Sequence, residues 1–274
     1  MQKHGYPIRQ FLAFYKAADT KFRVHSPFVF ELVNAVLEDQ RWYYAFRDVE
    51  AIRRKMQQSN LVIDVADYGA APPGGDAAHR RAPIRQIVQR AASSSRQGQW
   101  LFRLAQWLKP QHVLELGTSL GVGTMYLAAA VRSATIISME GSPDCAHIAK
   151  ANLEILGLHK NVQVQTGPFQ ENLPAGLKSL KTVDFVFFDG HHRADATLQY
   201  FEQCLPHVHA QTVLVFDDIY WSTEMTAAWK AIQQHPQVTL TVDLFDLSLA
   251  FFNPDFKNKQ HFKLLPSRCK PWHF

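Results

Sequence analysis

The sequence predicts an α/β fold in which a mostly parallel sheet is covered by helices on both faces. Three observations support this prediction. Short apolar segments alternate with segments of helical periodicity from residue 113 onward, a glycine-rich turn follows the first of these strands, and two strand-like runs near the C-terminus are close enough to form a hairpin. Strands that are apolar throughout are typical of parallel sheets, which are buried on both faces.

The first 95 residues predict a helical N-terminal extension or lid, ahead of a main domain at residues 96–274. Ser26 is expected to cap the second helix of the extension and Pro27 to take its first position, since serine accepts a backbone hydrogen bond there and proline needs no donor. Prolines and glycines predict a loop at residues 67–83. This loop is interpreted either as a substrate clamp or as an ordinary linker.

Strands and helices alternate regularly in the main domain. The five predicted parallel strands lie at residues 113–116, 134–139, 162–165, 183–188 and 212–216. The predicted helices lie at residues 97–108, 123–131, 144–156, 194–205 and 222–234. Ser142 is expected to cap the helix at 144–156. The runs 238–244 and 247–252, separated only by Phe245-Asp246, predict an antiparallel hairpin at the end of the sheet.

The composition excludes several classes of protein. With 47% hydrophobic and 19% charged residues, the chain is typical of soluble globular proteins, and no apolar run approaches the about 18 residues needed to span a bilayer. Three widely spaced cysteines, Cys145, Cys204 and Cys269, fit neither a disulfide framework nor a zinc site. Few, unpaired cysteines predict a reducing, cytoplasmic environment.

The net charge of +5 is unevenly distributed, because residues 1–110 carry +8 and the remainder carries −3. A basic N-terminal part can attract nucleic acid, an anionic substrate or an acidic membrane surface, or it can be a solvated helical face. The sequence leaves these alternatives open.

The glycine-rich turn after the first strand is the strongest candidate for a ligand site. Its spacing, G-x-x-x-G-x-G over residues 117–123, is not the G-x-G-x-x-G of dinucleotide-binding proteins, and no Lys-Ser/Thr pair follows as in a P-loop. Glu115 at the strand end favours a cationic or hydroxyl-bearing ligand, which points to S-adenosylmethionine. A merely structural tight turn is the alternative. The turn residues expected to contact the ligand are Gly117, Thr118, Ser119 and Gly121.

Further candidates follow the next two strands, because ligands of open parallel sheets lie beyond the carboxyl ends of the strands. Glu140 lies 23 positions after Gly117, close to the roughly 20-residue spacing at which an acidic residue binds ribose hydroxyls. A surface carboxylate at a helix start is the alternative for Glu140. Gly167 permits close approach of a ligand, and Phe169 is expected to lie against an adenine face.

Carboxylates and histidines follow the last two parallel strands. Asp189 and His192 lie after one strand, and Asp217 and Asp218 after the other. The three carboxylates predict a magnesium site, since several carboxylates together need a compensating cation. Alternatively, Asp217 or Asp218 caps a helix or binds backbone amides. A histidine is a ready general base, so His192 either takes this role or binds Asp189.

Residues 97–252 resemble the class I S-adenosylmethionine-dependent methyltransferases, most closely the branch of catechol-type and bacterial small-molecule O-methyltransferases. The motifs that carry the resemblance are Gln97-Gly98-Gln99, Glu115-Leu116-Gly117-Thr118-Ser119-Leu120-Gly121, Phe188-Asp189-Gly190-His191-His192 and Phe216-Asp217-Asp218. The resemblance implies a Rossmann-like sheet of seven strands, the last antiparallel. It also implies that Glu115, Gly117 and Ser119 lie near the methionine part of the cofactor, Glu140 near ribose and Phe169 near adenine.

The chain departs from that branch at two positions. Metal-dependent members commonly have Asp-Asn where this chain has Asp217-Asp218, which puts metal use in doubt. An acidic residue often follows the glycine after the third strand, and here that residue is Pro168, so adenine recognition would depend on backbone groups.

The sequence thus predicts a methyltransferase that moves the methyl group of S-adenosylmethionine to an oxygen, or less readily a nitrogen, of a small acceptor. Asp189 and His192 are the residues expected on the acceptor side. Two alternatives stay open: methylation of RNA through the basic N-terminal part, and cofactor binding without catalysis. Against RNA, the chain has no Asn-Pro-Pro-Tyr or Asp-Pro-Pro-Tyr motif. The oligomeric state is undetermined and compatible with a homodimer.

Overall fold

The structure is a computed structural model that describes residues 5–68 and 77–272. The chain divides into two units. The continuous unit is Arg41–His191, and the discontinuous unit combines Met1–Gln40 with His192–Phe274. The mostly parallel main sheet has eight strands, four in each unit, and a separate two-stranded sheet lies in the continuous unit. The predicted α/β class is therefore confirmed, with eight strands rather than the seven that the family resemblance implied.

Helices and strands cover most of the described residues. The helices are α1 Gly5–Ala17, α2 Pro27–Leu32, α3 Tyr44–Gln57, α4 Ile84–Ala91, α5 Ser95–Leu108, α6 Val122–Ala130, α7 Pro143–Ile155, α8 Phe169–Leu180, α9 Ala194–Cys204 and α10 Thr223–Gln234. The strands are β1 Val62–Asp67, β2 Ala78–Pro83, β3 His112–Leu116, β4 Thr135–Glu140, β5 Val162–Thr166, β6 Phe185–Phe188, β7 Val213–Asp217, β8 Leu240–Asp243, β9 Leu247–Phe251 and β10 Gln260–Lys263.

The four main-sheet strands of the continuous unit are parallel and lie in the order β6-β3-β4-β5. Every residue of β6 is buried, as expected for strands covered on both faces. The pairing of β3 with β4 sets Glu115 opposite Ser138. This register brings two polar side chains together inside an otherwise apolar sheet.

The antiparallel pair β1 and β2 is joined to the start of α7 by two hydrogen bonds. Ser142 Oγ donates to the carbonyl of Asp64 at 3.1 Å, and the Asp64 amide donates to Asp144 Oδ2 at 2.9 Å. Ser142 occupies the position before α7, as predicted, but its hydroxyl is used on β1 rather than on the helix amides. The predicted N-cap position of Ser142 is therefore confirmed, without a side-chain hydrogen bond to the helix amides.

The four strands of the discontinuous unit lie in the order β10-β8-β9-β7. Strand β9 runs antiparallel to β7 and β8, which confirms the predicted hairpin. Its turn is stabilised by the buried Asp243 carboxylate, which accepts from the Phe245 amide at 2.9 Å and from the Tyr220 hydroxyl. Ser26 Oγ accepts from the Val29 amide at 3.5 Å, so Ser26 and Pro27 begin α2 as predicted.

Three structural elements differ from the sequence-based predictions. Residues 78–83, predicted as loop, form β2 because they pair in register with β1. Helix α8 was not predicted, since Pro174 lies inside it and interrupts its helical pattern. Strand β10 pairs in parallel with β8, so the sheet does not end at the hairpin. Residues 69–76 of the predicted loop lie outside the described residues.

Two further predictions concern the cysteines and membrane-spanning helices. Cys145 and Cys204 are buried free thiols and Cys269 is an exposed one, so these three cysteines are unpaired. Among residues 5–68 and 77–272, no helix is both long and apolar enough to cross a bilayer.

Candidate active site

The turn between β3 and α6 depends on glycine. Gly117 and Gly121 have φ of +110° and +86°, a region that favours glycine. A Cβ atom at Gly117 would lie 2.3 Å from the Asp189 carbonyl oxygen, which no side chain tolerates. The amides of Gly117 and Thr118 both donate to the Met139 carbonyl, at 3.0 and 3.1 Å. The turn is therefore held close to both neighbouring strand ends, with no space for a side chain at Gly117.

Glu115 lies one residue before the end of β3 and is buried, with 1% of its surface exposed. Its Oε2 accepts hydrogen bonds from Thr124 Oγ1 at 2.6 Å and from Ser138 Oγ at 2.5 Å. Its Oε1 is equally buried and has no hydrogen-bond partner. Burial raises the pKa of this carboxyl from 4.5 to about 7. A buried carboxylate oxygen without a partner is costly, so this atom is suited to a cationic or hydrogen-bond-donating group.

Glu140 ends β4 and is held by two backbone amides. Its Oε2 accepts from the Ser119 amide at 2.6 Å, and its Oε1 accepts from the Ser142 amide at 2.9 Å. Both carboxylate oxygens are therefore held in place by the backbone. The carboxylate is thus oriented before any ligand arrives and is only half-buried, which suits a pair of adjacent hydroxyls.

Aromatic side chains lie beside the ends of β4 and β5. Phe169, the first residue of α8, is buried and stacks on His191 with ring centroids 4.8 Å apart. Tyr68 follows β1, and its ring would block any side chain at Gly141, directly after Glu140. Gly167 has φ of +130°, and its amide donates to the Glu140 carbonyl at 2.9 Å. The role of Phe169 at an adenine face stays a prediction.

Asp189 follows β6 and is half-buried. Its amide donates to the Leu116 carbonyl at 2.8 Å, which ties this segment to the glycine turn. Ser93 Oγ, from the segment before α5, donates to Asp189 Oδ2 at 3.4 Å. His191 and His192 follow with φ of +68° and +34°, unusual values for residues other than glycine. Strain of this kind persists only where surrounding contacts enforce it, as at functional sites.

His192, Asp217 and Asp218 belong to the discontinuous unit. His192 Nδ1 lies 3.4 Å from Asp218 Oδ2, and Asp218 has φ of +54°. Asp217 Oδ1 accepts from the Asp218 amide at 2.9 Å, so it binds a backbone amide, one of the predicted alternatives. Helix α10 is capped by Ser222 rather than by either aspartate. The His192 ring also lies 6.5 Å from the ring of Trp221.

Four residues of the continuous unit with direct contacts to predicted site residues or their neighbours were missed from the sequence: Tyr68, Ser93, Thr124 and Ser138. Ser138 carried a signal, because it is a polar residue inside an apolar strand, opposite Glu115 in the parallel register. Thr124 lies in the first turn of α6 and also had a local signal, a hydroxyl within an apolar helix. Ser93 and Tyr68 precede the main domain, and their contacts depend on tertiary structure.

Comparisons with known proteins agree on one family. A family model described as a methyltransferase domain matches residues 114–219. A catechol O-methyltransferase of Mycobacterium tuberculosis is 30% identical over 162 residues, which cover 59% of this chain and 68% of that protein. A catechol O-methyltransferase of Niastella koreensis is 30% identical over 128 residues, or 46% of this chain and 57% of that protein.

The fold has a counterpart among solved structures. The O-methyltransferase TomG of Streptomyces achromogenes, involved in tomaymycin synthesis and solved in complex with S-adenosylmethionine, superimposes with a TM-score of 0.56 at 18% identity. The match covers 81% of this chain and 94% of that one. At this identity the similarity supports the fold.

Proposed function

We propose that this chain, which belongs to the class I S-adenosylmethionine-dependent methyltransferases, transfers the methyl group of that cofactor to an oxygen of a small acceptor. The observation that carries the proposal is the pair of carboxylates at the ends of β3 and β4. Glu115 offers a buried oxygen without a partner, and Glu140 offers two oxygens oriented by backbone amides. A ligand with a cationic group and a vicinal diol matches both.

The residues of the continuous unit fit this cofactor. Glu140 would bind the ribose hydroxyls, and Glu115 would accept from the amino group of the methionine part, directly or through water. Gly117, Thr118, Ser119 and Gly121 would form the backbone of the binding turn, because a side chain at Gly117 is excluded. Gly167, Phe169 and Asp189 would complete the site. Tyr68, whose ring lies against Gly141, extends this assignment to an aromatic residue from before the main domain.

S-adenosylmethionine supplies an electrophilic methyl group, so the protein has to orient the acceptor, exclude water and remove a proton. We assign proton removal to His192. Asp218 Oδ2, 3.4 Å from Nδ1, would keep the imidazole proton on that nitrogen and leave Nε2 as the acceptor. The Asp218 carboxylate would also stabilise the imidazolium that forms. Asp189 is proposed to orient the acceptor or the cofactor, supported by the hydrogen bond from Ser93.

A magnesium ion at Asp189, Asp217 and Asp218 remains a sequence-based proposal without structural support. In the part of the chain that the structure describes, no three His, Cys, Asp or Glu side chains are grouped so as to hold a metal ion. Asp218 pairs with His192, and Asp217 binds a backbone amide. The residues present do not fit the ion, and no step of the proposed mechanism depends on it.

We further propose that residues 96–274 form the cofactor-binding domain and residues 1–95 an extension that contributes Tyr68 and Ser93. A cytoplasmic location is proposed from the three free thiols, because thiols stay reduced there. A homodimer is compatible with these proposals and is not required by them.

A methyl-transfer assay tests the proposed function. The protein is incubated with methyl-labelled S-adenosylmethionine and catechol as the probe acceptor, since the relatives are named for that substrate. We expect O-methylated catechol, and a His192→Gln variant that binds the cofactor normally but forms the product about 100-fold more slowly. In a parallel assay tRNA is offered as the acceptor. Transfer of the methyl label to tRNA and not to catechol would favour the RNA methyltransferase alternative. Cofactor binding without transfer to either probe would contradict the enzymatic proposal.

A further inference from the structure

Helix α1 exposes an apolar flank. Ile8, Phe11 and Leu12 have 63%, 42% and 63% of their surface exposed. Positions three and four residues apart lie on the same side of a helix, so these side chains form one patch. Phe14, three residues after Phe11, is buried, and both rings contact Phe245, so the patch adjoins the side on which α1 packs. Large apolar side chains exposed in a group, rather than singly, indicate an interaction surface.

The C-terminal segment, residues 264–272, lies beside α1. The Tyr15 hydroxyl donates to the Cys269 carbonyl at 2.8 Å, and Lys270 Nζ donates to the Ala18 carbonyl at 2.6 Å. Tyr15 is three residues after Leu12, so the segment passes along the flank that carries the apolar patch. The segment ends at Trp272, which is 64% exposed. We call α1 and residues 264–272 together the terminal surface.

The terminal surface and its adjoining residues are strongly basic. Residues 5–23 contain four Lys or Arg and a single carboxylate, Asp19, which pairs with Arg23 at 3.2 Å. Residues 256–272 contain five Lys or Arg and no carboxylate. Four of these cations lie exposed on α1 or around the C-terminal segment: Arg9, Lys16, Lys263 and Arg268. The Glu38 carboxylate also lies here, since its Oε1 accepts from the Ser267 amide at 2.6 Å, so the apolar side chains are flanked by a net excess of positive charge.

We propose that the terminal surface docks onto an anionic phospholipid bilayer, so that the enzyme is a peripheral membrane protein. Interfacial helices bury Phe, Leu or Trp at the acyl boundary while flanking Lys and Arg contact anionic headgroups. Tryptophan is favoured at this depth, which suits Trp272. A second copy of the chain fits less well, because a two-fold contact would bring these like-charged patches together.

Vesicle flotation tests the proposal with the full chain. We expect the protein to float with phosphatidylcholine vesicles that contain about 30% phosphatidylglycerol, and to stay behind with phosphatidylcholine alone or at high salt. The Ile8→Ser/Leu12→Ser variant is expected to lose most of the binding. The Lys16→Glu/Arg268→Glu variant is expected to bind the anionic vesicles at least about fivefold more weakly for each cation removed.

Matched controls come from the continuous unit. Ile155→Ser removes an equally exposed apolar side chain from α7, and Lys150→Glu/Lys178→Glu reverses two exposed cations. Both controls should float like the wild type, and all variants should keep the thermal midpoint and the cofactor affinity. Failure of the wild type to float, or unchanged flotation of Ile8→Ser/Leu12→Ser, would overturn the proposal. A wild-type dimer that becomes a monomer in this variant by sedimentation, without vesicle binding, would assign the surface to a second copy.

Discussion

The turn after β3 and the loop after β7 both follow the carboxyl end of a strand, yet they are held in different ways. In the first, two of the three positive φ values fall on Gly117 and Gly121, with the third at Ser119, and the backbone is hydrogen-bonded to the next strand. In the second, Asp218 takes a positive φ without being glycine, and its side chain is 41% exposed beside a 38% exposed His192. Most of the first turn is buried and held by backbone hydrogen bonds, whereas the second presents two partly exposed side chains.

This difference separates two tasks of a transferase. A cofactor that is the same in every turnover is best bound by a rigid, buried turn, which needs glycine and hydrogen-bonded carboxylates. Groups that meet an acceptor need access to it, and residues in sparsely populated backbone regions are concentrated at such positions. The cofactor side should therefore respond to substitutions in stability and cofactor affinity, and the acceptor side in turnover.

The largest effect is expected from Gly117→Ala. The new Cβ would lie 2.3 Å from the Asp189 carbonyl oxygen at a φ of +110°, so the backbone must move. We expect a loss of about 3 kcal/mol or more in the free energy of unfolding and no detectable cofactor binding. Gly157→Ala is the control, because its φ is +63° but no atom lies within 4 Å of the added Cβ. Gly157→Ala should lower the free energy of unfolding, measured in urea, by about 1 kcal/mol and leave cofactor binding unchanged.

Glu115→Gln is expected to change how stability depends on pH. The pKa of Glu115 is raised from 4.5 to about 7 in the folded protein, so between these values the folded state holds a proton that the unfolded state has lost. Stability of the wild type therefore falls as pH rises through this window, by about 3 kcal/mol in total, and levels off above it. The variant should lack this contribution.

Urea unfolding of both proteins from pH 5 to pH 8 measures this difference, with the exposed Glu154→Gln as control. Wild type and Glu115→Gln should diverge progressively with rising pH. Parallel curves would contradict a buried Glu115 that ionises with difficulty.

His192→Gln addresses the acceptor side. Removal of the proposed base should lower kcat for catechol methylation about 100-fold, with the dissociation constant of S-adenosylmethionine unchanged. His147→Gln, an exposed histidine on α7, is the control and should keep full turnover. A loss of cofactor affinity in His192→Gln with unchanged kcat would contradict the assignment of His192 to the acceptor side.

The smallest effect is expected from Ser93→Ala. Its hydrogen bond to Asp189 Oδ2 is long, 3.4 Å, and contributes weakly. We expect an about fivefold change in cofactor affinity or in kcat/KM for the acceptor, and the parameter that changes shows which partner Asp189 orients. Ser179→Ala, on the exposed side of α8, should have no effect on either parameter.

Local signals explain which parts of the structure were predictable. The β3 turn, the Ser26 cap and the β8–β9 hairpin each depend on neighbouring residues, and all three were predicted from the sequence. Helix α8 was missed because Pro174 interrupts its pattern, although the surrounding packing supports the helix. Strands β2 and β10 were missed because their residues lack an apolar alternation and pair only through tertiary structure.

The candidate site divides in the same way. Glu115 and Glu140 could be placed from strand ends and spacing, and the structure adds the amides and hydroxyls that orient them. The pairing of His192 with Asp218, rather than with Asp189, was not predictable, because it depends on two strained loops. Ser93 could not be assigned either, since nothing in its neighbourhood marks it as a partner of Asp189.

Calorimetric titration with S-adenosylmethionine measures whether Glu140 binds the cofactor, using the wild type, Glu140→Ala and the exposed control Glu154→Ala. We expect the wild type and Glu154→Ala to bind with equal affinity. Glu140→Ala should bind roughly tenfold or more weakly, because two charge-assisted contacts to the ribose are lost. Absence of binding to the wild type, or wild-type affinity in Glu140→Ala, would contradict the assignment of this site to the cofactor.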